Sequence, residues 1–225
     1  MKTIAFVPIK LNSERCHLKN IRKFTNGKPL VFYILNTLLK IKELDGIYVY
    51  CSSEEIQDYL PQGVELIKRD KYFDLQTTPF NQLLLSFTKI VNADTYVLAH
   101  ATAPFISETS IKLGIKAINK DGYDSAFSVL KMNEYLWQSG KPLNYSLDNI
   151  PRTQDLEDLM IETCGLYVFK KELIEKTHQR IGNNPFFIPV SKIESCDINT
   201  EEDFEIADAI FNYKNHFFLN KIKHE

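Results

Sequence analysis

Ile4-Ala5-Phe6-Val7-Pro8-Ile9-Lys10-Leu11-Asn12-Ser13-Glu14-Arg15-Cys16-His17-Leu18-Lys19-Asn20-Ile21 begins as an unbroken apolar run and ends as a polar loop. The run is closed by Lys2 on one side and Lys10 on the other, and reads as a central parallel strand buried on both faces. The loop behind it carries Lys10, Arg15 and Lys19, with Asn12, Ser13 and Asn20 between them. Open α/β sheets bind ligands outside the carboxyl ends of their strands. Three cations among small hydrogen-bonding side chains there point to a polyanion, most simply a nucleoside triphosphate. The same residues also describe a solvated loop with ordinary surface lysines, and on this stretch alone both readings stand.

The neighbouring pattern supplies the sheet. Apolar residues recur at helical spacing from Pro29 to Leu39, Gly46 to Cys51 reads as a second buried strand, and Val64 to Ile67 as a short third. Between the last two, Ser52-Ser53-Glu54-Glu55 has the serine caps and early acids of a helix start. This β-α-β-α-β alternation predicts right-handed crossovers and a parallel sheet. The polar-aromatic stretch Arg69 to Pro79 reads as a further loop on the ligand side. A helix over 80–91 precedes a buried strand, Thr95 to Ala99, which ends in the small-residue turn His100-Ala101-Thr102-Ala103-Pro104-Phe105. A helix over 107–119 and a strand over 125–130 follow.

From Lys131 to Asp158 periodicity stops, and Tyr135, Leu136 and Trp137 stand among polar residues. Irregular stretches of this length inside a domain are usually functional or interaction arms. Residues 131–158 are therefore expected to form an inserted arm, a dimer contact, with an excursion packed on its own domain as the alternative. Ile161 to Phe169 is again strand-like. Phe186 to Val190 reads as an edge piece, because proline lacks the ladder donor. Thr200 and Asp203 have capping-box spacing ahead of a helix through Ile210, and Asn212 to Glu225 reads as a polar tail. One three-layer α/β/α domain over residues 1–225, with a mostly parallel Rossmann-like sheet, is the expected architecture.

Bulk properties narrow the partners. With 27 Lys and Arg against 29 Asp and Glu, the net charge of −2 leaves no basic excess for nucleic acid, so any phosphate-binding charge must be local. No apolar stretch is long enough to span a membrane, and Met1-Lys2-Thr3 runs into a strand with no signal-peptide pattern. Cys16, Cys51, Cys164 and Cys196 are scattered without metal-site spacing. The expectation is a cytoplasmic protein with reduced thiols, in which Cys164 and Cys196 are small packing residues.

Six segments in order give the chain a resemblance to the cytidylyltransferases that activate sugar acids, those making CMP-sialic acid and CMP-Kdo. They are the opening loop through Leu18-Lys19-Asn20-Ile21; Arg69; the 100–105 turn; Arg152-Thr153-Gln154-Asp155; Glu162-Thr163-Cys164-Gly165-Leu166-Tyr167-Val168-Phe169; and Asp197-Ile198-Asn199-Thr200-Glu201-Glu202-Asp203-Phe204. The Arg-Thr-Gln and Asp-Ile-x-Thr elements look like the acylneuraminate branch. The resemblance implies a nucleotide-diphospho-sugar transferase type of fold and transfer of CMP from CTP to the anomeric hydroxyl of a sialic-acid-like acceptor, with pyrophosphate leaving. Alternatives are Kdo, pseudaminic or legionaminic acid, a non-sugar acceptor, or a nucleotide-binding protein without turnover. It implies nucleotide contacts from Pro8, Lys10, Asn12, Ser13, Arg15, Lys19, Asn20 and Arg69. Lys10, Arg15, Lys19 and Asp197 become the catalytic set, and His100, Thr102, Arg152, Gln154 and Glu162 the acceptor set. Asp197 and Asn199 are the implied ligands of Mg²⁺, and a homodimer is the implied assembly. His100 keeps a second reading as a structural hydrogen-bonder at a strand end. The chain also departs from the pattern: Lys10 stands where the family usually has arginine, Glu14 where it commonly has lysine, Asn199 replaces a second acid, and His100 replaces a common glutamine.

Overall fold

The structure, a computed structural model, describes residues 1–13 and 15–222, with side chains described through residue 213. The Glu14 departure and the end of the expected tail lie outside the described residues.

Alternation along the first strand builds two cores at once. β1 (Thr3–Ile9) sends Ala5, Val7 and Ile9 to one face of the sheet and Ile4 and Phe6 to the other, all without solvent contact. The first set packs with α1 (Leu30–Leu38) and α3 (Glu108–Asn119). The second packs with α2 (Phe80–Ile90) and α4 (Lys171–Thr177), where Phe6 stacks on Phe87 at 4.2 Å. Burial on both faces is why these strands are continuous apolar runs and not alternating ones.

Seven strands form the main sheet, in the order β3 (Glu65–Lys68), β2 (Gly46–Cys51), β1, β4 (Thr95–Ala99), β8 (Leu159–Lys170), β5 (Ser125–Met132), β9 (Pro185–Pro189). β1 is parallel to both β2 and β4, whereas β8 runs antiparallel between β4 and β5. The chain leaves β1 toward β2 on one side and returns to β4 on the other, which makes the carboxyl ends of β1 and β4 a topological switch point. The proline-bounded β9 lies at the sheet edge, as its composition requires.

Two expectations are corrected. Glu54–Tyr59 is a 3₁₀ turn, capped by Ser53 accepting from the Glu55 amide. The expected polar tail is the continuation of one helix, α5 (Glu201–Ile222). Thr200 and Asp203 do form its reciprocal capping box, with each backbone amide donating to the other's side chain at 2.8 and 3.2 Å. Beyond the polar face, Phe204 and Ala207 join Cys16, Phe24, Phe105 and Ile198 in a third small core, and Phe211 stacks on Tyr33 and Phe105. These contacts fasten α5 to the opening loop and bring residues 197–199 against it. Within 131–158, β6 (Trp137–Gln138) and β7 (Lys141–Pro142) form a hairpin that leaves Trp137 56% and Leu143 58% exposed.

Candidate active site

At the switch point lies a cavity of about 550 Å³. Its floor is Pro8 and the loop residues Lys10, Asn12, Ser13, Arg15, Lys19 and Asn20; its opposite wall is His100, Ala101 and Thr102, with Gln76 at the side. All the nucleotide residues expected from the sequence, except Arg69, therefore converge on one space. Lys19 and Asn20 are buried and held by a tight turn in which Leu18 takes a left-handed φ of 49° and its carbonyl accepts from both Ile21 and Arg22. Lys19 Nζ donates to the Ile198 carbonyl at 2.6 Å. Burial pulls its pKa below the usual lysine value, and the nearby Asp197 carboxylate works against that. Asn20 Nδ2 donates to the Lys10 carbonyl at 2.9 Å, leaving its buried Oδ1 without a partner. A buried acceptor of that kind, at a cavity wall, is matched to a ligand donor.

Asp197 and Asn199 are delivered from the other side by the α5 cap. Asn199 Nδ2 donates to Asp197 Oδ2 at 2.7 Å, its Oδ1 accepts from Arg15 Nη2 at 3.1 Å, and its backbone amide is held by Asp203. Asn199 thus links Asp197 to Arg15, and its amide oxygen is engaged by a cation instead of facing open space as a metal ligand. Among the described residues, no group of three or more His, Cys, Asp or Glu side chains is placed to hold a metal ion. A single carboxylate beside a cationic pocket still fits a Mg²⁺-type ion, which takes one or two carboxylates and completes its shell with phosphate and water oxygens. It does not fit an all-protein metal cage.

His100 lines the cavity, but its Nε2 is sealed from solvent without a hydrogen bond. The ring lies 5.6 Å from Phe80 and 6.3 Å from Tyr167. Burial, with the Arg180 charge second, lowers its pKa from 6.5 to about 4. The imidazole is therefore neutral at pH 7. Its backbone amide donates to the Gly165 carbonyl at 3.1 Å, and a Cβ at Gly165 would come within 2.8 Å of Ala103 Cβ, so only glycine lets β8 back the 100–105 turn. Between pH 6.5 and 4 the unfolded chain binds a proton that the native His100 does not, so stability falls as pH falls through that window and is level above it. Melting temperature of the His100→Gln variant should therefore decline less than that of the parent between pH 6.5 and 4.5, by a difference equivalent to about 1–3 kcal/mol; parallel curves would contradict the assignment.

Other expected residues stand elsewhere. Arg69 has a side chain only 2% exposed and is spent inside the protein, on Asp74 at 2.6 Å and the Tyr50 carbonyl at 3.2 Å. It does not line the cavity; it anchors the loop that brings Gln76 there. Arg152 lies on the exposed arm and forks onto Asp155 at 2.7 and 3.1 Å, and neither it nor the exposed Gln154 lines the cavity of its own chain. Glu162 bonds to Tyr167 Oη and to Arg180 at 3.3 Å. Cys164 is exposed at a left-handed φ of 58° beside the β5–β8 register shift, not a packing residue; Cys196 does pack against the third core. Arg180 was not legible in the sequence, since it belongs to no motif and is brought beside His100 only by the path from α4 to β9.

Comparison with known proteins bears on the family and the fold. A family model described as cytidylyltransferase matches residues 4–182. The N-acylneuraminate cytidylyltransferase of Oncorhynchus mykiss is 25% identical over 96% of this chain and 52% of its own length. A Helicobacter pylori protein named as a pseudaminic acid cytidylyltransferase and UDP-2,4-diacetamido-2,4,6-trideoxy-beta-L-altropyranose hydrolase is 22% identical over 93% of this chain and 42% of its own length. The chain thus spans about half the length of these curated relatives, or less. The structure of CMP:2-keto-3-deoxy-manno-octonic acid synthetase complexed with CTP superposes with a TM-score of 0.73 at 12% identity, covering 95% of this chain and all of that one.

Proposed function

The chain belongs to the cytidylyltransferase family, and from this we propose that it transfers CMP from CTP to the anomeric hydroxyl of a sugar acid, a sialic-acid-like nonulosonate, with release of pyrophosphate. The observation that carries the reading is the cation set Lys10, Arg15 and Lys19 facing one cavity, with Lys19 buried against the Ile198 carbonyl beside Asp197.

Such a transfer needs little covalent help from the protein. It needs the attacking oxygen, the α-phosphorus and the leaving group held in line, and charge stabilised as pyrophosphate departs. Lys10, Arg15 and Lys19 supply that charge on a preformed loop. Asn20 Oδ1 accepts from the nucleoside, and Asn12 and Ser13 add neutral contacts. A divalent cation, read as Mg²⁺, would be held by Asp197 and would supply further charge on the phosphates; Asn199 fixes the carboxylate and couples it to Arg15. His100 and Thr102 line the wall where the acceptor approaches. Neutral His100 puts no second cation between acceptor and phosphate.

In this reading the 131–158 arm, with its exposed Trp137 and Leu143, meets a second copy, and Arg152 and Gln154 serve a site only through that contact. The setting is the cytoplasm; among the described residues no helix is long and apolar enough to cross a membrane. A second reading keeps the chemistry and changes the acceptor. It is favoured by His100, which departs from the usual pattern on the wall assigned to the acceptor, and by Asn199, which departs from it beside Asp197. Pyrophosphate release from CTP and Mg²⁺ across sialic acid, Kdo, pseudaminic and legionaminic acids and a polyol phosphate separates the two. Release is expected only with sugar acids, and most with a nine-carbon one. CTP binding without release for every acceptor would instead mark a protein that binds the nucleotide without turnover.

A further inference from the structure

The cation reading rests on one carboxylate, Asp197, and one of its oxygens is already engaged. Asp197 and Asn199 are both half-buried. Asn199 Nδ2 donates to Asp197 Oδ2 at 2.7 Å, and Asn199 Oδ1 accepts from Arg15 Nη2 at 3.1 Å. The next acids along the chain are spent elsewhere. Asp203 Oδ2 accepts the Asn199 and Thr200 amides at 2.9 and 2.8 Å, and Glu201 pairs with Arg22. The Lys19 ammonium is close enough for its charge to act on Asp197, while Lys10 and Arg15 line the same cavity as Lys19. A bare divalent ion arriving here meets three cations and a single, hydrogen-bonded carboxylate. Repulsion between like charges at such range is substantial in a half-buried site, and affinity for hard cations follows the number and charge of the oxygen ligands.

We propose that Asn199 keeps this site closed to free divalent cations, so that the ion enters only together with the nucleotide. This rests on the CTP reading above. A triphosphate reverses the balance. Its charge offsets Lys10, Arg15 and Lys19, and its oxygens fill the coordination shell, so that one protein carboxylate is enough. An aspartate at 199 would change this. Two carboxylates would stand where an amide now donates to Asp197, and their mutual repulsion would be relieved by a bound cation. With asparagine, the position carries no charge, and its amide oxygen holds the Arg15 guanidinium instead of an ion. The cations of the opening loop then meet the incoming phosphates without a resident metal between them.

The test measures Mn²⁺ retained with the protein on ultrafiltration, with and without the non-reacting α,β-methylene analogue of CTP. The parent is expected to retain about 10-fold more Mn²⁺ with the analogue than without it. Asn199→Asp should tighten binding of free Mn²⁺, with no nucleotide present, by about 10- to 100-fold. Asn199→Ala leaves the charge as it is and should stay within about 2-fold of the parent. Arg15→Gln removes one cation and releases Asn199 Oδ1; it should gain about 3- to 10-fold, and it serves if the aspartate variant does not fold. Equal retention by the parent with and without the analogue would overturn the proposal. So would an aspartate variant that binds free Mn²⁺ no better than the parent, or an alanine variant that gains as much as aspartate. The aspartate arm contains no nucleotide, so it is separate from the CTP reading. Failure of the analogue to bind, with the aspartate gain intact, fails the CTP reading and leaves the closure to free ions standing. A bound analogue without that gain fails the Asn199 assignment alone.

Discussion

Asp197→Ala should lower pyrophosphate release at saturating CTP, Mg²⁺ and acceptor by about 10²- to 10³-fold, the scale on which removing one preorganised electrostatic contact slows a reaction. Two contributions add. In the proposed reading, the variant loses the carboxylate that would hold a divalent cation beside the Lys10–Lys19 loop. It also loses the anion that supports the protonated form of Lys19, which burial already disfavours. The alkaline limb of the rate profile should therefore move to lower pH in the variant, because the Lys19 pKa drops further once Asp197 is gone. Asp197→Asn keeps the shape and the contact to Asn199, and should be nearly as slow, because charge is what matters at this position. Thermal stability should change little, since the carboxylate is outside all three cores. Near-parental rates in either variant would remove Asp197 from the machinery.

Lys19→Met carries an effect of the same order. The methionine fills the stem's volume, so the loss isolates the ammonium. That ammonium is fixed by the Ile198 carbonyl at 2.6 Å and needs no reordering when charge develops on the leaving pyrophosphate. We expect kcat to fall about 10²- to 10³-fold, with a smaller rise in KM for CTP. Lys19→Arg should not restore the rate, because a guanidinium does not fit the buried slot behind Ile198. Full rescue by arginine would show that charge alone, without this geometry, is sufficient. A change confined to KM would make Lys19 a binding residue that does not distinguish transition state from ground state.

The central sheet could be read from residues because both faces are buried. Runs such as Ile4 to Ile9 and Thr95 to Ala99 have no polar interruption, and their turns hold the small and polar residues that a ligand-side loop needs. The convergence of Lys10, Arg15 and Lys19 on one cavity was legible because these cations cluster in sequence after a buried strand. What escaped were features made by distant chain segments. Arg69 looks like a site cation until its guanidinium is seen buried on Asp74. Arg152 pairs with Asp155 three residues on, on the exposed arm and away from the cavity of its own chain. Asn199 reads as a weakened metal ligand, but the structure uses it to join Asp197 to Arg15. Arg180 carries no motif, and only the path of the chain from α4 to β9 brings it to His100. The helical run past Asn212 was read as a polar tail, while Phe211 just before it supplies ring contacts that fasten the helix.

Phosphorus NMR of CTP incubated with the protein, Mg²⁺ and a nonulosonic acid tests the central claim most directly. The account predicts one pyrophosphate and one CMP phosphodiester for each CTP consumed, both appearing only when the sugar acid is present. Pyrophosphate formed without the acid, or free CMP in place of the diester, would contradict it.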